Sequence, residues 1–494
     1  KRAGTLMVDQ LQKAPSGIKG LDELTGGGFP AGRPTLICGG PGCGKTLLAV
    51  TFLVHGALDC GEPGVFISFD ERTGDLAVNV APLGFDLPAL ESRELLVLDH
   101  VHLDRQQIQE AGEYDLEGLF VRLDFAAEKI GARRVVLDSI DTLFAGIPNA
   151  AVVRSELRRL FDWLKEHGLS TMITAERGDG SLTRHGIEEY VSDCVILLDH
   201  RVIDDLSTRR LRVVKYRGSA HGTNEYPFLI DSSGITVMPV TSLGLTHVAS
   251  TQRVPTGLAG LDSMLDYKGY YKGSSILVGG GPGTGKTSIA AQLADVTCKR
   301  GERCIFFSFE ESPNQLARNM RSIGIDLQRW RDQGLLHCIS TRPSLQGLEM
   351  HLALMLKQVQ DFHPDLVIVD PLSALMASGT GAQTHTMLLR LIDYLKAANV
   401  TALFLSLQQD EGNTALQISS IMDTWIIVRN VPSGNALVRQ LHVVKSRGMP
   451  HSSRVRRMEI TNAGIELTDI PEQVGPDAAG SSVRLWGRKA VQDA

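Results

Sequence analysis

The 494 residues, 43% hydrophobic and 21% charged, describe a globular chain long enough for two or three cored domains. A net charge of -6 and a pI near 6.2 argue against a protein whose main task is gripping phosphate backbones. Seven cysteines without CxxC or Cys/His ligand spacing point to a reducing cytoplasm, no apolar run approaches the roughly 20 residues that span a bilayer, and the opening "KRAGTLMVDQ" lacks the apolar core of a secretion signal.

In chain order, "PSGIKGLDEL" (15–24) leads to the apolar run "PTLICGG" and then to a glycine-rich turn, Gly39 to Thr46, before a helix-forming stretch. "GVFISF" ends on the acidic pair Asp70-Glu71, and "RRVVLDSI" carries Asp138. The amphipathic "VVRSELRRLFDWLKEHG", the run "STMITAE", the acidic "HGIEEYVSDC" (185–194) and "CVILLDH" follow, and "VVKYRGSAH" (213–221) brings Lys215, Arg217 and His221. Short apolar runs alternating with helical patterns predict a mostly parallel sheet covered by helices on both faces, because each parallel crossover needs a helix. The near-continuous Val/Ile/Leu of the runs fits strands buried on both sides.

A polar, aperiodic stretch, "VTSLGLTHVASTQRVPTG" (240–257), separates this half from a second that repeats it. "PTGLAGLDSM" (255–264) answers "PSGIKGLDEL". "LVGGGPGTGKT" (277–287) answers "LICGGPGCGKT" (36–46), "IFFSFEE" (305–311) answers "VFISFDE" (65–71), and "VVKSRGMPH" (443–451) answers "VVKYRGSAH". Four matches in the same order imply duplicated domains. We expect one at 1–245, another at 246–469 and a flexible tail at 470–494, where "PEQVGPDAAGSS" precedes a short segment with helical potential.

Gly39 to Thr46 and Gly280 to Thr287 each satisfy GxxxxGK[ST] between strand and helix. Such glycines let backbone N–H groups wrap a phosphate, and the following helix adds the positive end of its dipole. The expected ATP contacts are Gly42, Gly44, Lys45, Thr46 and Leu47, and Gly283, Thr284, Gly285, Lys286, Thr287 and Ser288. Lys45 and Lys286 should reach the outer phosphates, while Thr46 and Thr287 offer hydroxyls to Mg²⁺. Asp138 and Asp370 stand where a P-loop protein holds its metal through water; a helix N-cap is the alternative reading of each. Asp70-Glu71 and Glu310-Glu311 suit a general base or water-orienting role, against the alternative of a first-turn pair facing a helix dipole. Lys215, Arg217, His221, Lys445, Arg447 and His451 suit contact with a neighbouring subunit's nucleotide, against a basic strand edge.

One segment breaks the symmetry. With Asp193 laid on Asp423 in "ALQISSIMDT" (415–424), Glu188 falls opposite Ile418, Glu189 opposite Ser419 and Tyr190 opposite Ser420. Only the second half supplies adjacent hydroxyls.

Together these motifs resemble the KaiC family, duplicated RecA-like ATPases and autokinases of the circadian clock, over roughly residues 15 to 468. The resemblance implies two tandem RecA-like P-loop domains in a homohexameric double ring, with ATP and Mg²⁺ at subunit interfaces in both tiers. It implies ATP hydrolysis in the first domain, with Glu71 and Asp70 as the acidic pair, and self-phosphorylation and dephosphorylation in the second. There Ser419 and Ser420 match the phospho-acceptors, Thr414 a linked threonine, Glu310 the base and Glu311 its support. Ser420 replaces the usual threonine, Asp70 is shorter than the usual glutamate, and Ala377 stands where the family has arginine. A KaiB-like partner is implied for the first ring, whereas the tail after 470 does not resemble the segment that binds KaiA. The rivals are a RecA-like DNA recombinase or helicase, for which the compact basic cluster is Arg454, Arg456 and Arg457, and a scaffold that ATP merely assembles.

Overall fold

The computed structural model describes residues 11–101, 116–145, 147, 149–178, 182–183, 192–203, 206–232, 234–238, 249–345, 347–376, 381–407 and 418–470. In the first half the strands and main helices are β1 (Pro34–Gly39), α1 (Lys45–Asp59), β2 (Gly64–Ser68), β3 (Leu96–His100), α2 (Glu117–Ile130), β4 (Arg134–Asp138), α3 (Ala150–Glu166), β5 (Ser170–Glu176), β6 (Cys194–Ile203), β7 (Leu206–Tyr216), β8 (Glu225–Asp231) and β9 (Gly234–Val237). They form a nine-stranded sheet in the order β9-β8-β7-β6-β1-β5-β4-β2-β3. The block from β6 to β3 is parallel, and β7, β8 and β9 return antiparallel.

The second half repeats this plan with β10 (Ser275–Gly280), α4 (Lys286–Lys299), β11 (Cys304–Ser308), α5 (Pro313–Arg321), β12 (Leu336–Ser340), α6 (Leu348–Phe362), β13 (Leu366–Asp370), α7 (Gly381–Ala397), β14 (Thr401–Ser406), β15 (Thr424–Ser433), β16 (Ala436–Ser446), β17 (Arg456–Thr461) and β18 (Gly464–Asp469). Its sheet order is β12-β11-β13-β14-β10-β15-β16-β17-β18. The P-loop strand is thus central in both sheets, between two parallel neighbours.

The two-residue period of a strand explains the sandwich. Ile37 of β1 packs on one face with Leu48 and Phe52 of α1, while Leu36 and Cys38 pack on the other with Leu123 of α2 and Leu157 and Phe161 of α3. In the second half Ile276 and Val278 meet Ile289 and Leu293 of α4, and Leu277 meets Leu352 and Leu356 of α6 and Leu388 of α7. Both sheets are buried on both faces, as their unbroken apolar strands predict.

The halves also pack on each other. Leu229 and Met238 of the first half complete the core around α6. Arg210 pairs with Glu349 at 2.8 Å, Lys19 with Asp361 at 3.3 Å, and Lys357 with Asp231. Among the described residues no helix is long and apolar enough to cross a membrane.

Candidate functional site

Each P-loop joins the central strand to a helix that begins at its lysine, Lys45 for α1 and Lys286 for α4. The residues just before, Gly44 and Gly285, have φ of 101° and 93°, a left-handed conformation that glycine adopts without strain. A Cβ on Gly44 would stand 2.9 Å from Ile230 Cδ1, and one on Gly285 would stand 2.6 Å from Ile460 Cδ1, so each loop is pressed against the antiparallel part of its own sheet. Gly42 and Gly283 share the positive φ. Thr284 is buried and donates to the Gly281 carbonyl at 2.8 Å; its counterpart Cys43 is also buried, which pushes its thiol up. Leu47 and Ser288 lie in the first turn of their helices.

Lys286 Nζ donates to the carbonyls of Gly280 and Gly281, both at 2.8 Å, and Lys45 Nζ to those of Gly39 and Gly40 at 2.8 and 3.0 Å. Burial lowers the Lys286 pKa against the pull of Asp370 and Glu310. Thr287 Oγ1 donates to Asp370 Oδ2 and Thr46 Oγ1 to Asp138 Oδ2, both at 2.7 Å. Each aspartate ends the strand two places from the P-loop strand, so the sheet order itself brings hydroxyl and carboxylate together. Burial raises both carboxyl groups. Asp370 reaches about 6, with Thr287 opposing the rise and Glu310 adding to it; Asp138 is raised while Thr174 and Thr46 oppose. A buried carboxylate beside a hydroxyl and a lysine suits a divalent cation, whose charge would restore the ionised form.

The acidic pairs differ. Asp70 is bonded by Ser139 Oγ at 2.9 Å and by Thr142 Oγ1. In the second half those positions are Pro371 and Ala374, and Glu310 is exposed with no side-chain hydrogen bond or ion pair among the described residues. The following residues are held alike: Asn79 donates to Glu71 at 2.6 Å and Asn319 to Glu311 at 3.2 Å, and Glu311 Oε2 is buried without a partner. Position-by-position comparison of the halves around the two strand-end aspartates would have exposed the contrast at 139 and 142; the motif patterns alone pass over it.

Ser419 and Ser420 occupy a helical turn at 418–421, Ser419 buried and Ser420 exposed. They precede β15, which runs parallel to β10, so they sit at the opposite end of the sheet from their own P-loop. Five strand steps from Ser275 to Gly280 make that separation about 17 Å or more. The end of β16 comes to the same edge, where Lys445 donates to the Ser419 carbonyl and Arg447 to the Ser420 carbonyl. Lys215 and Arg217 hold the corresponding edge of the first sheet, with Arg217 3.6 Å from Asp193. His221 Nδ1 lies 3.3 Å from the Ser219 carbonyl, and His451 is exposed. Glu188, Glu189, Tyr190, Ala377, Thr414 and the tail from 471 lie outside the described residues. Of the basic cluster, Arg456 pairs with Asp469 at 3.2 Å and Arg457 with Glu459 at 2.8 Å.

The KaiC ATPase family model matches this chain twice, at residues 14–242 and 254–472. The chain belongs to the KaiC family of ATPases. It is 50% identical over 464 residues, 93% of this chain and 82% of the other, to the circadian clock protein KaiC2 of Synechocystis sp.. It is 37% identical to the circadian clock oscillator protein KaiC of Parathermosynechococcus lividus, covering 98% and 90% of the two chains. For the KaiC of Synechococcus elongatus the identity is 35%, covering 95% and 91%. KaiC membership makes the chain an ATP-binding ATPase in which the ATPase domain occurs twice.

Proposed function

We propose that this chain is a clock-type serine autokinase and autophosphatase, working as a homohexamer in which the first domain, 1–245, hydrolyses ATP and the second, 246–469, phosphorylates Ser419 and Ser420 of the adjacent subunit. The observation that carries this reading is the placement of the hydroxyls. They lie a sheet length from their own P-loop, on the edge that also holds Lys445 and Arg447, a placement that suits transfer from a second chain's ATP site. The exposure of Glu310 supports its role as the base.

In the transfer step the hydroxyl oxygen of Ser419 or Ser420 forms a bond to the γ-phosphorus, the bond to the β-phosphate oxygen breaks and ADP leaves, and the hydroxyl proton passes to the Glu310 carboxylate. Lys286 and the loop N–H groups hold the outer phosphates. Lys445, Arg447 and His451 approach from the neighbouring chain to stabilise charge on the transferring group. Thr287 and Asp370, like Thr46 and Asp138, fit Mg²⁺, which when bound neutralises phosphate charge. Glu311, fixed by Asn319, supports Glu310. In the first domain Glu71 and Asp70 orient water, and Lys215, Arg217 and His221 reach across. A cytoplasmic location and a KaiB-like partner of the first ring rest on family membership, and KaiA is not proposed as a partner.

Incubation with Mg-ATP followed by intact-mass and peptide spectra tests the autokinase. Phosphate on Ser419 and Ser420 is expected; none, with ATP consumed normally, overturns it.

A further inference from the structure

Each half opens on a two-residue ribbon whose first strand carries a cation. Lys13–Ala14 pairs antiparallel with Phe29–Pro30, and Arg253–Val254 with Tyr270–Tyr271. Lys13 and Arg253 each stand two places before the repeated "PSGIKGLDEL" and "PTGLAGLDSM", so their positions are equivalent, and Arg253 lies within the polar connection between the halves.

Both cations reach the same place in their own basic segment. Lys13 Nζ donates to Ser219 Oγ at 2.6 Å and lies 4.7 Å from the Tyr216 ring centre. Arg253 donates to Met449 Sδ at 3.1 Å, to the Leu265 carbonyl at 2.8 Å and to the Gly269 carbonyl at 2.6 and 3.1 Å. Ser219 and Met449 match in "VVKYRGSAH" and "VVKSRGMPH", between the arginine and the histidine of each. A hydroxyl accepts the cation in one half and a thioether in the other, so the location of the contact is kept while its chemistry changes.

The second half adds a further tie. The Arg253 guanidinium sits 4.4 Å from the Tyr271 ring centre, and the Tyr271 hydroxyl donates to the Gly448 carbonyl at 3.2 Å. The counterpart of Tyr271 is Pro30, which has no donor. The Arg447 N–H donates to the Asp423 carbonyl at 2.8 Å and the Ser452 N–H to the Met264 carbonyl at 2.9 Å. Segment 447–452 is thus tied at both ends and in its middle, with His451 exposed.

We propose that Arg253 and Tyr271 are positioning residues for the basic segment of the second domain: they clamp Met449 and Gly448, which separate Arg447 from His451, and so present both cations along the edge that meets a neighbouring chain's ATP. The proposal rests on the autokinase reading. A guanidinium with several fixed acceptors holds a backbone more firmly than one long side chain holds itself, and misplacement of a reacting or stabilising group by about 1 Å is enough to slow a transfer by about 10²-fold.

The test uses full-length chains in mixed rings with Mg-ATP. Chains carrying Lys286→Ala, which keep the serines, are combined with chains carrying Ser419→Ala and Ser420→Ala, which keep the ATP site. Arg253→Ala added to the serine-bearing chain should lower the rate of phosphate arrival about tenfold, with KM for ATP within about twofold, because the phosphate cradle lies on the other chain. The same substitution in the chain that supplies ATP should leave the rate within about twofold. Arg253→Lys, which installs the first half's residue, should restore it to within about threefold, and Tyr271→Phe should cost about threefold, again only in the serine-bearing chain. Equal loss from either chain, or loss from neither, overturns the proposal. If Arg253→Ala does not fold, Tyr271→Phe in the same two mixtures decides in the same way. Mixtures that take no phosphate without these substitutions overturn transfer between subunits instead, and hydrogen exchange of a peptide spanning 446–452 then decides: faster in Arg253→Ala or Tyr271→Phe supports the clamp, unchanged in both refutes it.

Discussion

The acidic corners of the two halves have the same backbone and different neighbours. Asp70 is tied by the hydroxyls of Ser139 and Thr142, while Glu310, one methylene longer, has Pro371 and Ala374 at the equivalent positions and is exposed. A carboxylate already accepting two hydrogen bonds has less freedom to swing toward a substrate than one accepting none. On the proposed function, these small polar exchanges around a common frame separate a site suited to water from one suited to a protein hydroxyl.

The comparison breaks most sharply at the lysines. Lys286→Ala should abolish phosphoserine and leave first-domain hydrolysis, Lys45→Ala should do the reverse, and a double variant that still turns over ATP at the parent rate would favour an ATP-assembled scaffold. Next in size, Glu310→Gln should slow phosphoryl transfer by about 10²-fold or more, read by single-turnover phosphopeptide kinetics. Asp70→Asn, because that carboxylate is already tied by Ser139 and Thr142, should slow first-domain hydrolysis less.

A third difference is one of stability. The Asp370 pKa of about 6 lies above its ordinary 3.8, so the fold favours the protonated form. Its contribution is therefore full below about pH 4 and lost as pH rises through about 6. Without nucleotide or metal, Asp370→Asn should stabilise the chain relative to the parent at pH 7.5 by on the order of 2 kcal/mol, and by much less at pH 4, in paired denaturant titrations. Equal differences at both pH values would contradict the shift. Smallest of all, Thr142→Ala should change first-domain ATP turnover by about threefold through release of Asp70, with the second domain's phosphorylation unmoved.

Much of this was legible in the sequence. The repeated segments and the strand-turn-helix context of GxxxxGK[ST] imposed two central P-loop strands, and the alternation of apolar runs with helical patterns imposed the sheet. The Thr46–Asp138 and Thr287–Asp370 pairs followed from the spacing of those motifs along known strand ends. Other features were hidden for physical reasons. Ser275 and Pro34 each begin a strand whose apolar pattern is unaffected by the exchange, so periodicity does not register that Ser275 gives Asp423 two hydrogen bonds where proline has no donor. The pairing of α6 with β7 and β8 joins Glu349 to Arg210 and Lys357 to Asp231, residues more than a hundred positions apart, and such contacts leave no local signature. The three antiparallel strands of each sheet read as basic or apolar runs, and only their hydrogen-bond register shows that they carry Lys215 and Lys445 to the edge opposite the P-loop.

Mixed rings test the central claim most directly. Chains carrying Lys286→Ala, which cannot use their own second site, are combined with chains carrying Ser419→Ala and Ser420→Ala, which have no acceptor, and given Mg-ATP. Transfer between subunits predicts phosphate on Ser419 and Ser420 of the Lys286→Ala chain, although that chain alone takes none. A Lys286→Ala chain that stays unmodified in the mixture, while the parent phosphorylates itself, would contradict it.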